Sequence, residues 1–385
     1  MRARAAEAGI RRVHLFAFRD LDAPDSGGAE EHATQVCAHL ALAGIDVTMH
    51  TGRVDGEPAE ISRDGYRVVR HGGRLGVFAT SPFDEITRRM GPCDGIIEVF
   101  HGTPFFAPLW SRKPQIGLVH HVHLGTWHML LPGPLGRVGE FFERHAVPIV
   151  YKRRALVAVA HSTRDEIIEH YRADPQRVTV AYNGVDARFA PGGERSPRPL
   201  VLTVARMMPQ KGLEDLLPAL ADVRKRVPDA EAVIIGDGPQ RERLEAQATS
   251  LGAKDWLRFV GRVSDDELVS WYQRAWVVTS ASKREGFGLT LTEAAACGTP
   301  VVATRIPGHV DAVDDGFSGL LVDNMTEMAD AVVALLTDAS RRNTLANGAL
   351  KHASKFTWEA STIAMFGALC DEADRLHRRR HRHQQ

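Results

Sequence analysis

The chain alternates short apolar runs with helical periodicity, and it does so in two successive series. Such alternation predicts parallel sheets covered by helices on both faces, the doubly wound α/β class. The strands predicted in the first series are 12–18, 45–49, 95–100, 115–119, 155–160 and 178–181. Those predicted in the second are 200–205, 232–236, 257–260, 276–280 and 300–304. Helices are predicted between most of them.

The two series imply two domains, which suits a chain of 385 residues. Between them, the segment 187–199 is rich in proline and glycine and lacks periodicity, as linkers often do. We therefore predict a first domain over 1–190, a linker over 191–199 and a second domain over 200–356. A last helix, over 357–385, is predicted to pack back on the first domain and to end in a basic tail.

The composition excludes several classes of protein. Lys+Arg and Asp+Glu are balanced at 48 each, so the net charge predicts no nucleic-acid partner. The four cysteines are scattered, which argues against a disulfide framework or a zinc knuckle. Neither a signal peptide nor a membrane span is indicated, so we expect a cytoplasmic protein. The aromatic and basic stretch 136–154 is either a packed helix or a peripheral contact with the inner face of a membrane.

Chemistry is expected on loops that follow strands, because ligands bind at the carboxyl ends of the strands in such sheets. After the strand 276–280, Glu285 and Glu293 flank a glycine-rich helix start. Free N–H groups there favour an anion, and carboxylates accept hydrogen bonds from vicinal hydroxyls. The pattern fits a sugar nucleotide. A surface loop with Glu293 as a helix-dipole partner fits the spacing equally well.

The full stretch Glu285-Gly-Phe-Gly-Leu-Thr-Leu-Thr-Glu293, followed by Ala-Ala-Ala-Cys-Gly-Thr-Pro, resembles the retaining family 4 glycosyltransferases. The resemblance implies the GT-B fold, in which two doubly wound Rossmann-like domains face each other across a cleft. It places Glu285 near the donor sugar and Glu293 on the ribose hydroxyls. It also implies that the loop and helix start contact the donor through Gly286, Phe287, Gly288 and Leu289.

Three further stretches of the second domain match the same family in order. Arg206 and Lys211 follow the strand 200–205, where two cations would neutralise a departing diphosphate, although ordinary surface cations would look the same. The resemblance favours the diphosphate. Gly236 begins a turn like the Gly-x-Gly-Pro turn of the family. The stretch that contains Val260 and Arg262 resembles the loop that meets the nucleotide base.

In the first domain, Gly27 and Gly28 resemble a glycine pair that approaches the donor phosphates; a flexible helix start is the alternative. The strand 115–119 ends in His120-His-Val-His123. A zinc site lacks a nearby Cys or acidic ligand, and strand alternation puts His121 and His123 on one side and His120 on the other. The family has one histidine here that reaches the donor sugar. We favour His123, with His120 as the rival.

These matches imply a retaining transfer of a hexosyl group from a nucleoside diphosphate sugar, with UDP or GDP as the expected nucleotide, to an acceptor hydroxyl. The catalytic set is then His123, His120, Arg206, Lys211 and Glu285. In this family the leaving phosphate deprotonates the acceptor, so no protein nucleophile is expected. A metal is not expected either, because the two cations do its work, and no other cofactor is implied. The acceptor and the oligomeric state are not assigned. The alternatives are a sugar-nucleotide epimerase of the same architecture and a non-catalytic sugar-nucleotide-binding protein.

Overall fold

The structure, a computed structural model, describes residues 1–24, 26–73, 75–100, 102–127 and 133–382. The chain forms two compact units. Unit 1 consists of Met1–Gly184 together with Trp358–Gln385, and unit 2 consists of Val185–Thr357.

Unit 1 is built on an eight-stranded sheet in the order β3-β4-β2-β1-β5-β6-β7-β8. Its strands are β1 (Arg12–Phe16), β2 (Asp46–Thr51), β3 (Glu60–Arg63), β4 (Tyr66–Arg70), β5 (Gly95–Phe100), β6 (Gln115–Val119), β7 (Ala155–Ala158) and β8 (Val178–Val180). Its helices before the crossing to unit 2 are α1 (Arg2–Ala8), α2 (Gly28–Leu42), α3 (Val77–Ile86), α4 (Ala107–Trp110), α5 (Pro134–Tyr151) and α6 (His161–His170). The central strands are buried along their whole length, as expected when helices cover both faces of a sheet.

One edge of this sheet is a hairpin that the alternation of strands and helices does not predict. Strands β3 and β4 pair antiparallel, with Arg63 opposite Tyr66. The two residues between them, Asp64 and Gly65, both have positive φ angles, 45° and 83°. This is the geometry of the tight turns that Asp-Gly dipeptides favour, so the signal was present in the sequence.

The chain returns to unit 1 through its last helix. That helix, α14 (Trp358–Arg382), packs on α1, α2 and strands β5 to β8. Arg4 donates a hydrogen bond to Asp374 at 2.7 Å, and Arg177 pairs with the buried carboxylate of Glu372. The two ends of the chain are therefore fixed to each other within one unit.

Unit 2 has a six-stranded parallel sheet in the order β11-β10-β9-β12-β13-β14. Its strands are β9 (Leu200–Val204), β10 (Glu231–Ile235), β11 (Leu257–Gly261), β12 (Val277–Ser280), β13 (Val301–Thr304) and β14 (Gly319–Val322). Its helices are α7 (Leu213–Arg226), α8 (Arg241–Ser250), α9 (Asp265–Arg274), α10 (Leu289–Ala296), α11 (His309–Ala312), α12 (Met325–Thr337) and α13 (Ala339–Ala353). The chain winds from β9 outward in one direction and resumes at β12 in the other, so β9 and β12 flank the topological switch point.

The boundary between the units differs from the prediction. The structure divides the chain after Gly184 and after Thr357, and the predicted linker 191–199 belongs to unit 2. There Arg195 donates to the hydroxyl of Thr299 at 2.6 Å, and the indole of Trp276 donates to the carbonyl of Ser196 at 2.8 Å. Proline and glycine predicted the lack of regular structure correctly, but irregular backbone can still pack against a domain.

Among the helices within the described ranges, none combines the length and the apolar character needed to cross a bilayer.

Candidate active site

The loops that follow β9 and β12 meet at the switch point of unit 2. Lys211, from the first loop, forms an ion pair with Glu285, from the second. The backbone N–H of Lys283 donates to the carbonyl of Gln210 at 2.8 Å, which joins the same two loops. Gly212 has a φ of 63°, and a Cβ there would overlap the carbonyl oxygen of Ala281. Only glycine fits this crossing without strain, so it fixes where Lys211 lies.

The carboxylate of Glu285 is held in its charged form. Burial by itself would raise the pKa of Glu285, but the charge of Lys211 and hydrogen bonds from Lys211 and Ser282 outweigh it and lower that pKa to about 2. The hydroxyl of Ser282 donates to Glu285 Oε1 at 2.8 Å. In such a pair, an anionic group of a ligand can take the place of the carboxylate beside the cation, and a ligand that donates hydrogen bonds can take the place of the cation beside the carboxylate.

His309 is a further member of this cluster that the sequence reasoning missed. It follows β13, is fully buried, and lies 2.8 Å from the carbonyl of Thr304 through Nδ1. Because Nδ1 donates that hydrogen bond, Nε2 is the acceptor, and the hydroxyl of Ser280 lies 3.4 Å from it. The signal that could have found His309 is its position directly after a strand of this sheet, the rule that had identified Glu285.

Glu293 lies in α10, where its Oε2 accepts a hydrogen bond of 2.9 Å from the hydroxyl of Tyr272 on α9. Burial and the charge of Glu293 raise the pKa of Tyr272 well above its usual value, so the hydroxyl stays a donor. The ring of Tyr272 packs edge-on to Phe189 at 5.8 Å. Tyr272 thus holds Glu293 in one orientation. Nothing in the sequence linked these two residues, because the contact is made between two helices.

The other predicted donor residues of unit 2 lie along the same edge of the sheet. Gly236 follows β10, where a Cβ would overlap the carbonyl of Ala205 in the loop after β9. Gly286 lies in the loop, Gly288 caps α10 with a φ of 102°, and Leu289 begins the helix. Phe287 points inward, its ring edge-on to Phe356 at 5.2 Å, so only its backbone faces the loop side.

Arg206 and the base loop are the most open parts of this edge. Arg206 is exposed directly after β9, and its guanidinium has no ion-pair partner among the residues that the structure describes. Val260 is 38% exposed near the end of β11, the edge strand next to β10, and the exposed Arg262 follows it. The structure thus brings Lys211 and Glu285 into contact, whereas Val260 and Arg262 lie two strands away from β9.

The predicted residues of the first domain lie in unit 1. Gly27 precedes α2 and Gly28 begins it. The backbone N–H of Gly27 donates to the buried carboxylate of Glu30 at 2.8 Å, and Arg19 donates to the other oxygen of Glu30 at 3.0 Å. Glu30 therefore ties the loop after β1 to the start of α2.

The histidines after β6 divide as strand alternation predicts. The rings of His121 and His123 lie 3.9 Å apart, whereas the ring of His120 packs edge-on to His32 at 5.2 Å. His120 is 8% exposed and His123 is 6% exposed, so both rings are largely buried.

Glu143 in α5 anchors the loop that contains His123. This carboxylate is 1% exposed and accepts hydrogen bonds from the backbone N–H of His123 at 2.8 Å, from the indole of Trp127 at 2.6 Å and from the hydroxyl of Tyr171 at 2.7 Å. The indole of Trp127 fits between Gly102 and Gly139, where a Cβ would come within 2.7 Å and 2.5 Å of it. Glu143 was not predicted, because a glutamate inside a helix gives no sequence signal of such a role.

Several aromatic residues near the ends of β1 and β5 are packed inside unit 1. Phe105 is 3% exposed and Trp127 is 5% exposed. The ring of Trp110 packs edge-on to Phe16 at 5.5 Å, and Phe78 lies 4.9 Å from Phe105. Their contacts are those of a hydrophobic core.

Two family models match this chain. The model described as "Glycosyl transferases group 1" matches residues 185–352, and the model described as "Glycosyltransferase Family 4" matches residues 26–189. A D-inositol 3-phosphate glycosyltransferase of Stackebrandtia nassauensis is 38% identical, with 95% of this chain and 93% of the relative aligned.

Solved structures share the fold. Sucrose-phosphate synthase from Thermosynechococcus elongatus superposes with a TM-score of 0.78 at 22% identity, covering 92% of this chain and 97% of its own. Anabaena Alr3699/HepE, solved in complex with UDP-glucose, superposes with a TM-score of 0.69 at 20% identity, covering 93% of this chain and 98% of its own. The chain therefore belongs to the group 1 glycosyl transferases of family 4, and it is a retaining glycosyltransferase.

Proposed function

We propose that this enzyme transfers a hexosyl group from a nucleoside diphosphate sugar to an acceptor hydroxyl, and that the switch point of unit 2 binds the donor. The observation that carries the proposal is the meeting of Lys211 and Glu285 there. In doubly wound sheets this is the place where nucleotides bind. A paired cation and carboxylate supply the two kinds of contact that a sugar phosphate needs.

Lys211 and Arg206 would stabilise the diphosphate as it departs. In the structure the ammonium of Lys211 is neutralised by Glu285, and the guanidinium of Arg206 faces solvent. A bound diphosphate would replace Glu285 as the partner of Lys211. Glu285 would then accept hydrogen bonds from the sugar hydroxyls. Lys211 and Glu285 each keep a partner in this exchange, so it costs less free energy than leaving either charge buried without a partner.

Glu293 would accept hydrogen bonds from the vicinal hydroxyls of the ribose. Tyr272 binds Oε2 and sets the plane of the carboxylate, so the ligand meets a preoriented group. Preorientation of this kind lowers the entropy cost of binding. Backbone groups of residues 286–289 would contact the sugar or the phosphates, Gly236 would line the phosphate side, and Val260 and Arg262 would contact the base.

In the reaction, the bond between the anomeric carbon and the phosphate oxygen breaks as a bond from that carbon to the acceptor oxygen forms. The proton of the acceptor hydroxyl passes to the departing phosphate, so the products are the glycoside and the nucleoside diphosphate. No protein nucleophile takes part, and we propose that neither a metal nor another cofactor is needed for this step. In unit 1, His123 would bind donor sugar hydroxyls, with His120 as the alternative, and Gly27 and Gly28 would approach the phosphates.

The comparisons suggest which substrates to test first. HepE was solved with UDP-glucose, and several relatives are named D-inositol 3-phosphate glycosyltransferases. We therefore propose a UDP-sugar as donor, with a GDP-sugar as the alternative, and a phosphorylated cyclitol as the first acceptor to assay. We also propose that the enzyme works in the cytoplasm and touches the inner face of a membrane through α5.

A donor screen tests the proposal. Thermal unfolding is measured with UDP-, GDP-, ADP- and TDP-sugars, since a ligand at 100 times its Kd adds about 2.7 kcal/mol of stability. We expect one nucleotide to stabilise the wild type, and Glu293→Ala to abolish the shift while Glu242→Ala, on the exposed side of α8, retains it.

The same donor is then incubated with and without acceptor. Transfer that requires an acceptor is the expected result. Conversion of the donor alone into an isomer would instead identify an epimerase. Binding without either reaction would identify a non-catalytic binding protein. The absence of binding would refute the proposed donor site.

A further inference from the structure

Two histidines of unit 1 lie beside the same carboxylate oxygen of one aspartate. His50, near the end of β2, places Nε2 3.0 Å from Oδ2 of Asp84. His71, directly after β4, places Nδ1 2.6 Å from the same oxygen. Asp84 itself belongs to α3. The three ligand atoms lie within 4.8 Å of one another, although the residues come from three separate elements.

The hydrogen bonds around this cluster bear on which ring nitrogen of His50 carries the proton. The hydroxyl of Ser81 lies 2.7 Å from the carbonyl of Val77 and 3.0 Å from Nδ1 of His50. A hydroxyl has one proton, and the shorter contact takes it to the carbonyl. In the tautomer that this favours, Nδ1 of His50 donates to Ser81 and Nε2 presents a lone pair to Asp84. Two acceptors face each other at 3.0 Å, an arrangement that a cation between them would stabilise.

The neighbouring carboxylate of Glu85 differs from that of Asp84 in its cation partner. Glu85, the next residue of α3, lies 2.5 Å from Nδ1 of His14 and pairs with Lys113. That carboxylate has a lysine as its resident cation. Asp84 has a weaker partner, because the guanidinium of Arg89 is 61% exposed and lies 3.5 Å from Oδ1, the other oxygen.

We propose that His50, His71 and Asp84 form a binding site for a first-row divalent transition metal ion, of which Zn²⁺ and Co²⁺ are the test cases. Two imidazole nitrogens and one carboxylate suit such ions, and Ser81 would hold His50 in the ligating tautomer as an outer-shell partner.

The burial fits an ion that enters from solvent. His50 is 0% exposed and Asp84 2%, whereas His71 is 32% exposed on its side of the cluster. Water can complete the coordination there. The ion would link β2, the segment after β4 and α3. The site lies in unit 1 and is independent of the donor chemistry proposed for unit 2.

The experiment starts from protein stripped with a chelator and titrated with Co²⁺, whose visible absorption reports its coordination. The wild type is expected to develop a single saturable band that Zn²⁺ displaces, and to unfold at higher temperature with Zn²⁺. His71→Gln, at a partly exposed position, and Asp84→Asn are expected to lose the band and the thermal shift. Circular dichroism verifies that each variant is folded.

Two controls separate this site from others. His145→Gln removes an exposed histidine of α5, and Cys93→Ser removes the thiol beside His14 and Glu85. Both are expected to retain the band. An unchanged band in folded His71→Gln would overturn the proposal, as would its loss in Cys93→Ser. Absence of a band in the wild type would do so too, and would assign His50 to the other neutral tautomer, in which Nε2 donates a hydrogen bond to Asp84.

Discussion

At the scale of single residues, the most informative contact is the ion pair between Lys211 and Glu285. Both side chains are largely buried, 18% and 19% exposed, so the pair is shielded from solvent more than a surface pair would be. Removing one member leaves the other charge uncompensated, which is costly in a buried site. A mutation of either residue is therefore expected to affect both the charge and the position of the other.

Lys211→Ala is expected to lower kcat by about a hundred-fold to a thousand-fold, because it removes a cation that we propose stabilises the departing diphosphate. Lys283→Ala serves as the matched control, since Lys283 lies in the same loop region but pairs with Asp215 at 2.7 Å. Steady-state transfer assays measure kcat for both variants. Wild-type turnover in Lys211→Ala would refute the role assigned to this lysine.

Glu98 is a buried carboxylate with a different kind of environment. It is 1% exposed at the end of β5, and the hydroxyl of Tyr151 donates to it at 2.9 Å. Burial raises the pKa of Glu98 to about 7, and the hydrogen bonds from Tyr151 and from the backbone of Ala107 offset only part of that effect. The folded protein therefore retains a proton that the unfolded chain releases near pH 4.5.

This difference predicts a pH dependence of stability. Because the pKa of Glu98 is higher in the folded state, its contribution is fully present below about pH 4.5 and is lost as the pH rises through about 7. The loss amounts to roughly 3 kcal/mol. In Glu98→Gln this part of the decline should vanish, so the variant gains on the wild type as the pH rises. Urea unfolding from pH 4.5 to 8 measures it, with Glu169→Gln, an exposed position on α6, as control. Parallel pH profiles would contradict the assignment.

At the scale of elements, α5 has two faces with opposite tasks. Its buried face carries Glu143, which holds the His123 loop. Its outer face carries a stripe of apolar residues at helical spacing: Leu135 is 59% exposed, Val138 50%, Phe141 62% and Ile149 74%. Exposed Lys152 and Arg153 follow the helix. An exposed apolar stripe beside cations is typical of helices that lie on anionic lipid.

Phe141→Ser is expected to weaken co-sedimentation with phosphatidylglycerol vesicles several-fold, because it removes apolar area from the proposed membrane face. Phe317→Ser is the matched control: Phe317 is 43% exposed and lies in unit 2. Binding to neutral vesicles should be weaker than binding to anionic ones in every variant. If wild type and Phe141→Ser sediment equally, α5 is not a membrane contact.

The elements also show which local signals can be read without a structure. Strands β5 and β6 begin and end at the predicted residues, because short, mostly apolar runs bounded by turn formers leave little choice. The β3–β4 hairpin was missed although Asp64-Gly65 marks its turn, since its strands are polar on their exposed side. Strand β14 was missed as well, because a short run such as Gly-Leu-Leu-Val can belong to a helix or a strand.

At the scale of the whole molecule, the side chains proposed to bind the nucleotide lie in unit 2, whereas the histidine loop and the Gly27-Gly28 pair lie in unit 1. Arg206, Lys211, Glu285 and Glu293 belong to unit 2, and His123 belongs to unit 1. This separation makes nucleotide binding and sugar transfer testable independently.

His123→Ala is expected to leave the Kd for the nucleoside diphosphate within about two-fold of wild type, since His123 is proposed to contact the donor sugar and not the nucleotide. It should lower kcat for transfer by about ten-fold or more, the cost of losing a hydrogen bond to the reacting sugar. His120→Ala is measured in parallel, because His120 is the rival. Calorimetry gives the Kd and initial rates give kcat. A large loss of nucleotide affinity in His123→Ala would contradict this division of roles.

The amino-acid sequence alone was enough to predict two doubly wound domains, the donor motifs and the order in which these motifs occur along the chain. The fold class follows from local periodicity, which the sequence contains directly, whereas the donor motif follows from the resemblance of Glu285–Glu293 to family 4, because its spacing alone fits a surface loop equally well. Tertiary structure alone revealed that Tyr272 orients Glu293, that Glu143 anchors the His123 loop and that His309 joins Glu285. It also assigned residues 191–199 to unit 2. Those contacts join residues far apart in the chain, and their energies depend on burial and distance, which no local pattern encodes.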